Sequence, residues 1–271
     1  MNILDEIIAH KRKETEKRKS LYPVKLLEQS IYFETRPVSM RHYVRRPDKS
    51  GIIAEIKRKS PSKGVINGHV SVERTSIGYM QAGASAISVL TDKKFFGGSN
   101  EDLTIARKFN FCPILRKDFT IDEYQIIEAK SIGADVILLI AAALDAAEVK
   151  SLTRFAQSLG LEVLLEVHNR EELEATSEAG ADLIGVNNRN LKTFHIDLNI
   201  SKSLAPLIPD EVVKVSESGI ESPQTILELR SYGYDGFLMG QNFMQHSSPE
   251  DECKSFIEEL RVLQAQNIKS P

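Results

Sequence analysis

The sequence predicts a (β/α)8 barrel, a TIM barrel, with extra N-terminal helices. Three observations carry that prediction. After residue 50, eight short apolar runs alternate with helical patterns. A glycine-led phrase recurs roughly every fifty residues, as Gly83-Ala84-Ser85, Gly133-Ala134-Asp135, Gly180-Ala181-Asp182 and Gly233-Tyr234-Asp235, each closing a helical pattern just before an apolar run. Five of the runs carry polar or charged groups at their C-terminal ends, where such a barrel keeps its active site.

Taken in order, the chain opens with an amphipathic helix that begins at Leu4, Ile7 and Ile8 and continues through the charged stretch His10–Lys19. Interspersed glutamates make that stretch a solvated helical face rather than a nucleic-acid arm. A second helix is expected over about 24–34, and both should cap one end of the barrel. Strands are expected near 51–56, 85–90, 112–116, 134–140, 161–166, 182–187, 212–216 and 235–239. Runs as apolar as Val136-Ile137-Leu138-Leu139-Ile140 suit parallel strands buried on both faces. Between them, residues 121–129 have helical periodicity, and Ser222-Pro223 opens a helix through Leu229, with serine as cap and proline in the first turn. Each repeat glycine suits a helix C-terminus, where the left-handed conformation is cheap only for glycine. An open doubly-wound sheet is the competing fold, but no G-x-G-x-x-G follows the first strand. The domain reading is one barrel domain over 1–271, with 1–50 as the helical extension, 51–264 as the barrel and a frayed tail after Gln264.

The 271 residues match the roughly 250 that one such barrel needs. A formal net charge of −3 gives no global nucleic-acid signal. Cys112 and Cys253 fit neither a redox nor a zinc spacing and are expected to be reduced, packed thiols. No run reaches the roughly 20 apolar residues of a membrane span, and the N-terminus lacks a signal-peptide pattern. The expectation is a cytoplasmic protein with no membrane or nucleic-acid partner, a monomer or at most a weak dimer.

The chemistry is concentrated at strand ends. In Ile52-Ile53-Ala54-Glu55-Ile56-Lys57, residues two apart share a face, so Glu55 and Lys57 point the same way. Lys117, Glu166 and Asn187 end three later runs. A barrel axis would gather these groups, and two lysines with two carboxylates can run acid and base steps on one substrate. A buried ion network with no catalytic part is the plainer alternative, although buried ion pairs add little stability. Lys117 as a Schiff-base amine would need a lowered pKa, which nearby carboxylates oppose. Ser218-Gly219 after the seventh strand and Gly240 after the eighth occupy the usual phosphate cradle of the fold. Arg189 could add a charge-assisted contact to an anion. Ser60-Pro61-Ser62-Lys63-Gly64 reads as a lid or substrate-facing loop, and Phe95, Phe96 and Phe119 as packing for an aromatic group or ordinary core. The six histidines do not gather, His168 reads as an outer-loop residue, and no metal is expected.

These same segments resemble indole-3-glycerol-phosphate synthases. The resemblance is carried by Ile53-Ala54-Glu55-Ile56-Lys57-Arg58-Lys59-Ser60-Pro61-Ser62-Lys63-Gly64, Val89-Leu90-Thr91-Asp92 with Phe95-Phe96-Gly97-Gly98-Ser99, and Leu115-Arg116-Lys117-Asp118-Phe119. It continues through Leu165-Glu166-Val167-His168, Gly185-Val186-Asn187-Asn188-Arg189-Asn190-Leu191 and Ser216-Glu217-Ser218-Gly219-Ile220, and so covers nearly the whole chain. It implies decarboxylation and ring closure of 1-(2-carboxyphenylamino)-1-deoxyribulose 5-phosphate in tryptophan biosynthesis, with no cofactor or metal. By resemblance, Lys117 is the general acid toward the ketone oxygen and Glu166 the second acid/base group. Glu55, Lys57, Asn187 and Ser218 hold substrate and stabilise charge. Ser218, Gly219 and Gly240 take phosphate, with Ser60, Lys57 and Arg189 around the substrate, while Phe96 and Phe119 flank the anthranilate ring. Gln241 departs from the serine or glutamate of many relatives, and the chain has no tryptophan; both bear on substrate affinity. A sugar-phosphate isomerase, a Schiff-base aldolase and a non-enzymatic binding barrel are the alternatives.

Overall fold

The computed structural model describes residues 3–269, and side chains through 266. Eight parallel strands close into a barrel: β1 (Ile52–Ile56), β2 (Ala86–Leu90), β3 (Ile114–Lys117), β4 (Val136–Ile140), β5 (Glu162–Val167), β6 (Leu183–Asn187), β7 (Val213–Glu217) and β8 (Gly236–Met239). Each pairs with its sequence neighbour, and β1 closes the ring on β8 through Ile52–Phe237, Ile53–Leu238 and Ala54–Met239. The strand positions read from the sequence fall within two residues of those observed.

Alternation along each strand divides the core into two layers. Ile52, Ala54, Ile87, Val89, Ile137, Leu139, Val163 and Leu165 face outward into the layer beneath the helices. Ile53, Ala86, Leu115, Val136, Leu138, Leu164, Leu183, Val213 and Val215 fill the interior. Two residues beyond the last apolar member of an interior row come Glu55, Lys117, Glu166 and Glu217. The interior therefore runs from apolar at its N-terminal end to charged at its C-terminal end.

The recurring glycine phrase has two structural tasks. Gly83, Gly133, Gly180 and Gly233 have φ of 103°, 94°, 72° and 86°, turning each helix end directly into a strand. The polar residue two later then bonds the start of the preceding strand. Ser85 Oγ accepts the Gly51 N–H at 2.9 Å, Asp135 that of Ile114 at 2.7 Å and Asp182 that of Val163 at 3.0 Å. These bonds fix strand stagger at the N-terminal rim. Asp235 instead takes the Arg45 guanidinium at 2.9 Å.

The N-terminal segment does more than cap one end. A short helix, Met40–Val44, plugs the N-terminal rim with buried Met40 and Val44, and its first backbone N–H groups bond Glu162. The long helix Ile3–Leu21 starts at the opposite mouth, where Ile3, Leu4 and Ile7 line the cavity. The helix expected over 24–34 shortens to Val24–Leu27 followed by turns. The tail expected to fray after Gln264 is instead helical to Lys269; its last two residues, like residues 1 and 2, lie outside the described residues.

The charged stretch 10–19 is not a uniformly solvated face. Lys11 is 2 % exposed and its ammonium lies 2.9 Å from both Asp92 and Asp118. Arg18 pairs with buried Glu128, which also binds Arg116 at 2.6 Å. Burying a lysine is tolerable only with opposite charges in contact, and the turns after β2 and β3 supply them.

Candidate active site

At the C-terminal mouth lies a cavity of about 510 Å³. Thirteen residues singled out from the sequence line it: Glu55, Lys57, Ser60, Phe96, Lys117, Phe119, Glu166, Asn187, Arg189, Ser218, Gly219, Gly240 and Gln241. Leu4 and Ile7 of the long helix join them, together with Glu217.

The centre of the site is an ammonium between two carboxylates. Lys117 Nζ lies 2.6 Å from Glu217 Oε2 and 2.8 Å from Glu166 Oε2. Burial opposes charge on Lys117, but Glu166, then Glu217 and Glu55, outweigh it and hold the pKa well above that of an ordinary lysine. Burial likewise acts against the charged form of Glu166, yet Lys117 and His168 keep its pKa far below the carboxylate range. Glu217 settles oppositely. Burial, with repulsion from Glu166 and Glu55, exceeds the pull of Lys117 and pushes its pKa up to about 7. Two carboxylates on one lysine thus take different protonation preferences, which separates a base from a proton-holding group. The low value for Glu166 follows from its contacts, since Oε1 also accepts from Asn187 Nδ2 at 3.2 Å and lies 3.3 Å from His168 Nε2.

Glycine makes room for this cluster. Gly185 pairs with Glu166 across β5 and β6, and a Cβ there would come within 2.3 Å of Glu217 Oε1. A Cβ on Gly240 would meet Glu55 Oε1 at 2.6 Å. Glu55 in turn binds Lys57 at 2.8 Å, the same-face pair that strand alternation implied.

The two asparagines at the end of β6 diverge. Asn187 faces the cavity; Asn188, fully buried, turns outward, and its Nδ2 bonds the carbonyls of Glu217 and Ser218 at 3.1 Å. Ser218 has φ 69° and Gly219 φ 80°. A left-handed serine is costly, so Asn188 helps fix a strained turn that faces the cavity. Arg189 lies half-buried on the same mouth, its Nη1 reaching only the Phe194 carbonyl at 3.5 Å, and burial lowers its pKa.

Phe96 and Phe119 stand 5.9 Å apart with ring planes at 37° and make an apolar slot in the cavity that Leu4 and Ile7 also line. Phe95 does not share it, turning instead onto His10 at 5.7 Å. Ser60 belongs to a small hairpin, Lys59–Ser60 with Gly64–Val65, so the loop after β1 is a shaped flap.

Three groups escaped the sequence reading. Glu217 stands in the same register beyond Val213 and Val215 as Glu166 beyond Leu164, and that register could have revealed it. His168 is not an outer-loop residue: its side chain is 9 % exposed between Glu166 and Glu172. Leu4 and Ile7 carried only a generic helical pattern.

A sequence profile described as "Indole-3-glycerol phosphate synthase" matches residues 4–259. The chain belongs to the indole-3-glycerol phosphate synthase family. Among members, the indole-3-glycerol phosphate synthase of Bacteroides thetaiotaomicron is 46 % identical over 96 % of this chain and 99 % of its own length. That of Thermoanaerobacter pseudethanolicus is 41 % identical over 96 % and 98 %. Two solved barrels share the fold at low identity. 3-Hexulose-6-phosphate synthase from Salmonella typhimurium has a TM-score of 0.61 and 14 % identity, covering 78 % of this chain and 98 % of its own. N-acetylmannosamine-6-phosphate 2-epimerase from Clostridium perfringens has 0.60 and 16 %, covering 84 % and 99 %. The family match takes in the long N-terminal helix from Leu4 onward, the part of the extension that reaches the cavity.

Proposed function

We propose that Lys117, Glu166 and Glu217 divide the proton transfers in the family's reaction. That reaction converts 1-(2-carboxyphenylamino)-1-deoxyribulose 5-phosphate to indole-3-glycerol phosphate, carbon dioxide and water. The chain is an indole-3-glycerol phosphate synthase, a decarboxylating lyase of tryptophan biosynthesis. The observation that carries our assignment is the ammonium of Lys117 between two buried carboxylates of unlike proton affinity.

The chemistry sets the demand. The ring carbon bearing the carboxylate attacks the ketone carbon, and the ketone oxygen takes the electron pair. Lys117, held protonated, donates to that oxygen, a step of a kind worth about 10²–10⁴ in rate. Carbon dioxide then leaves, and its bonding electrons restore the aromatic ring. The new hydroxyl takes a second proton and departs as water, while the methylene carbon beside nitrogen loses one. Two protons are delivered and one removed, so the reaction consumes one proton overall. Glu166, held as a carboxylate, is the base for the methylene proton. Glu217, with a pKa near neutrality and 2.6 Å from Lys117, re-protonates the amine between its two donations.

The remaining residues hold substrate. Phe96, Phe119, Leu4 and Ile7 clasp the anthranilate ring. Lys57, oriented by Glu55, and Arg189 take anionic groups, with Asn187 beside the reacting carbons. Ser218, Gly219, Gly240 and Gln241 form the phosphate end, with Ser60 closing from the flap. Glutamine at 241 leaves backbone N–H donation intact. No cofactor or metal enters this scheme. We take the chain as one barrel domain over 1–271, with 1–50 as the helical extension, acting in the cytoplasm as a monomer or weak dimer. Among the described residues, no helix is long and apolar enough to cross a membrane.

The test is formation of indole-3-glycerol phosphate from the carboxyphenylamino sugar phosphate, with Lys117→Ala as the decisive variant. Turnover should vanish while the circular dichroism spectrum and melting curve persist. Near-normal turnover, or a borohydride-trapped adduct on Lys117, would show that lysine is not the acid and would favour an aldolase-like amine.

A further inference from the structure

One buried cation beside the catalytic carboxylate is left without a task in this scheme. His168 follows β5, two residues beyond Glu166, with its side chain only 9 % exposed. Its Nε2 lies 3.3 Å from Glu166 Oε1, and its Nδ1 3.1 Å from Glu172 Oε2. The same Glu172 oxygen accepts the His168 backbone N–H at 2.8 Å, while Asn169 holds the other Glu172 oxygen at 2.9 Å. Glu172 lies on the helix Arg170–Thr176, which packs outside the barrel mouth. Carboxyl groups and basic groups therefore alternate from the outer helix to the opposite barrel wall, in the order Glu172, His168, Glu166, Lys117, Glu217.

The contacts of Glu166 divide by oxygen. Oε2 faces Lys117; Oε1 faces Asn187 and His168. If His168 were neutral, its ring would offer one N–H to two flanking carboxylates and leave a lone pair against the other. A doubly protonated ring hydrogen-bonds Glu172 through Nδ1 and sets a second, positively charged N–H 3.3 Å from Glu166 Oε1, a charge contact at a buried nitrogen that has no other partner among the described residues. Among the described residues no other cation lies on the Oε1 side of Glu166, since Lys117 stands on Oε2.

We propose that His168 is a positioning residue for the reaction: an imidazolium clamped between Glu172 and Glu166, which keeps Glu166 ionised and its second oxygen turned toward Lys117 and the substrate. The proposal rests on the assignment of Glu166 as base and extends it outward to a helix, Arg170–Thr176, that does not line the cavity. Glu172 is the anchor, and the charge on His168 depends on it. Burial opposes that charge, and contacts with Glu166 and Glu172 more than offset it, moving the ring pKa up to about 10. The ring therefore stays protonated across the working range.

Two measurements on the full chain test this. In the first, kcat is followed from pH 5.5 to 8.5 for wild type, His168→Gln and Glu172→Gln. Glutamine keeps a donor but removes the charge. The ratio of His168→Gln to wild-type kcat should fall toward the acid end, as Glu166 takes up a proton more readily without the imidazolium. Glu172→Gln should shift the same way by less, and KM should move little in both. A ratio that does not change with pH overturns the proposal, since a purely structural loss would be uniform. The second measurement is nitrogen NMR of histidine-labelled protein, with no need for turnover. One of the six histidines should remain doubly protonated at pH 8.5 and lose that state in Glu172→Gln. Ordinary titration of every histidine near pH 6.5 overturns the proposal even if the glutamine variants fail to fold. Normal turnover by Glu166→Gln would instead remove the base assignment itself, and the proposal with it, whatever the NMR state of His168.

Discussion

Lys11, near the start of the chain, places its ammonium 2.9 Å from the carboxylate of Asp118, the residue after Lys117. This pair ties the helix carrying Leu4 and Ile7 to the strand end that carries the acid. Burial opposes charge on both, but Asp118 and Asp92 hold the Lys11 pKa up, while Lys11 and then Arg116 hold that of Asp118 well below the carboxylate range. Lys11→Met leaves two buried carboxylates short of a partner, a loss of about 3–5 kcal/mol. Thermal melting should drop by on the order of 10 °C. KM for the sugar phosphate should rise as the apolar slot loosens. A melting point within a degree or two of wild type would mean that the pair contributes little.

Gly185 is the second point of leverage. A Cβ there would lie 2.3 Å from Glu217 Oε1 and 3.2 Å from Leu164 Cδ1. Gly185→Ala adds one methyl group and changes no charge. It should displace Glu217 from Lys117 and cut kcat by about tenfold or more, while overpacking lowers stability by about 1–3 kcal/mol. Steady-state kinetics beside a denaturant melt separates the two effects. Unchanged kcat would show that Glu217 can relocate without harm.

Glu217 also gives a pH signature in stability. Its pKa rises on folding from an ordinary carboxylate value to about 7, so the native state binds this proton more tightly than the unfolded chain. The resulting stabilisation is complete below the unfolded pKa, near 4.5, and is lost as pH climbs through about 7. Glu217→Gln removes that dependence. The melting temperature of the variant, relative to wild type, should therefore rise between pH 4.5 and 8, whatever constant offset the lost contact with Lys117 adds. A difference falling with pH would reverse the assignment of which carboxylate holds the proton.

Arg189 should act through binding. Its guanidinium lines the cavity with one long backbone contact and, among the described residues, no carboxylate within ion-pair distance, so it is available to an anion. Arg189→Ala should raise KM by about 10–100-fold, the loss of one charge-assisted contact, with a smaller change in kcat. Measured kcat and KM over a substrate series settle this. A fall confined to kcat would move Arg189 from binding to the chemical step.

Much of the barrel was legible because its signals are local. Period-two burial, glycine at helix ends and serine or aspartate caps depend on neighbours within a few residues, and all eight strands followed from them. Register extended that reading to the site: a charge two residues beyond an apolar interior position faces the axis, which gathered Glu55, Lys117 and Glu166. Glu217 obeys the same rule but stands between two serines, so its run ends in three polar residues and local pattern alone does not single out the one facing the axis. His168 and Lys11 carried no local signal. A histidine after a strand and a lysine in a charged helix look solvated until the partners that bury them are known.

By itself, the amino-acid order determined the alternation of strands and helices, the closure into eight units and the set of polar groups facing the axis. It did so because backbone geometry and side-chain period act over short stretches. Only the tertiary structure decided which of two neighbouring carboxylates keeps its proton, which lysine of a charged helix is buried, and which wall the N-terminal helix completes. Those outcomes depend on solvent exclusion and on charges brought together from distant parts of the chain.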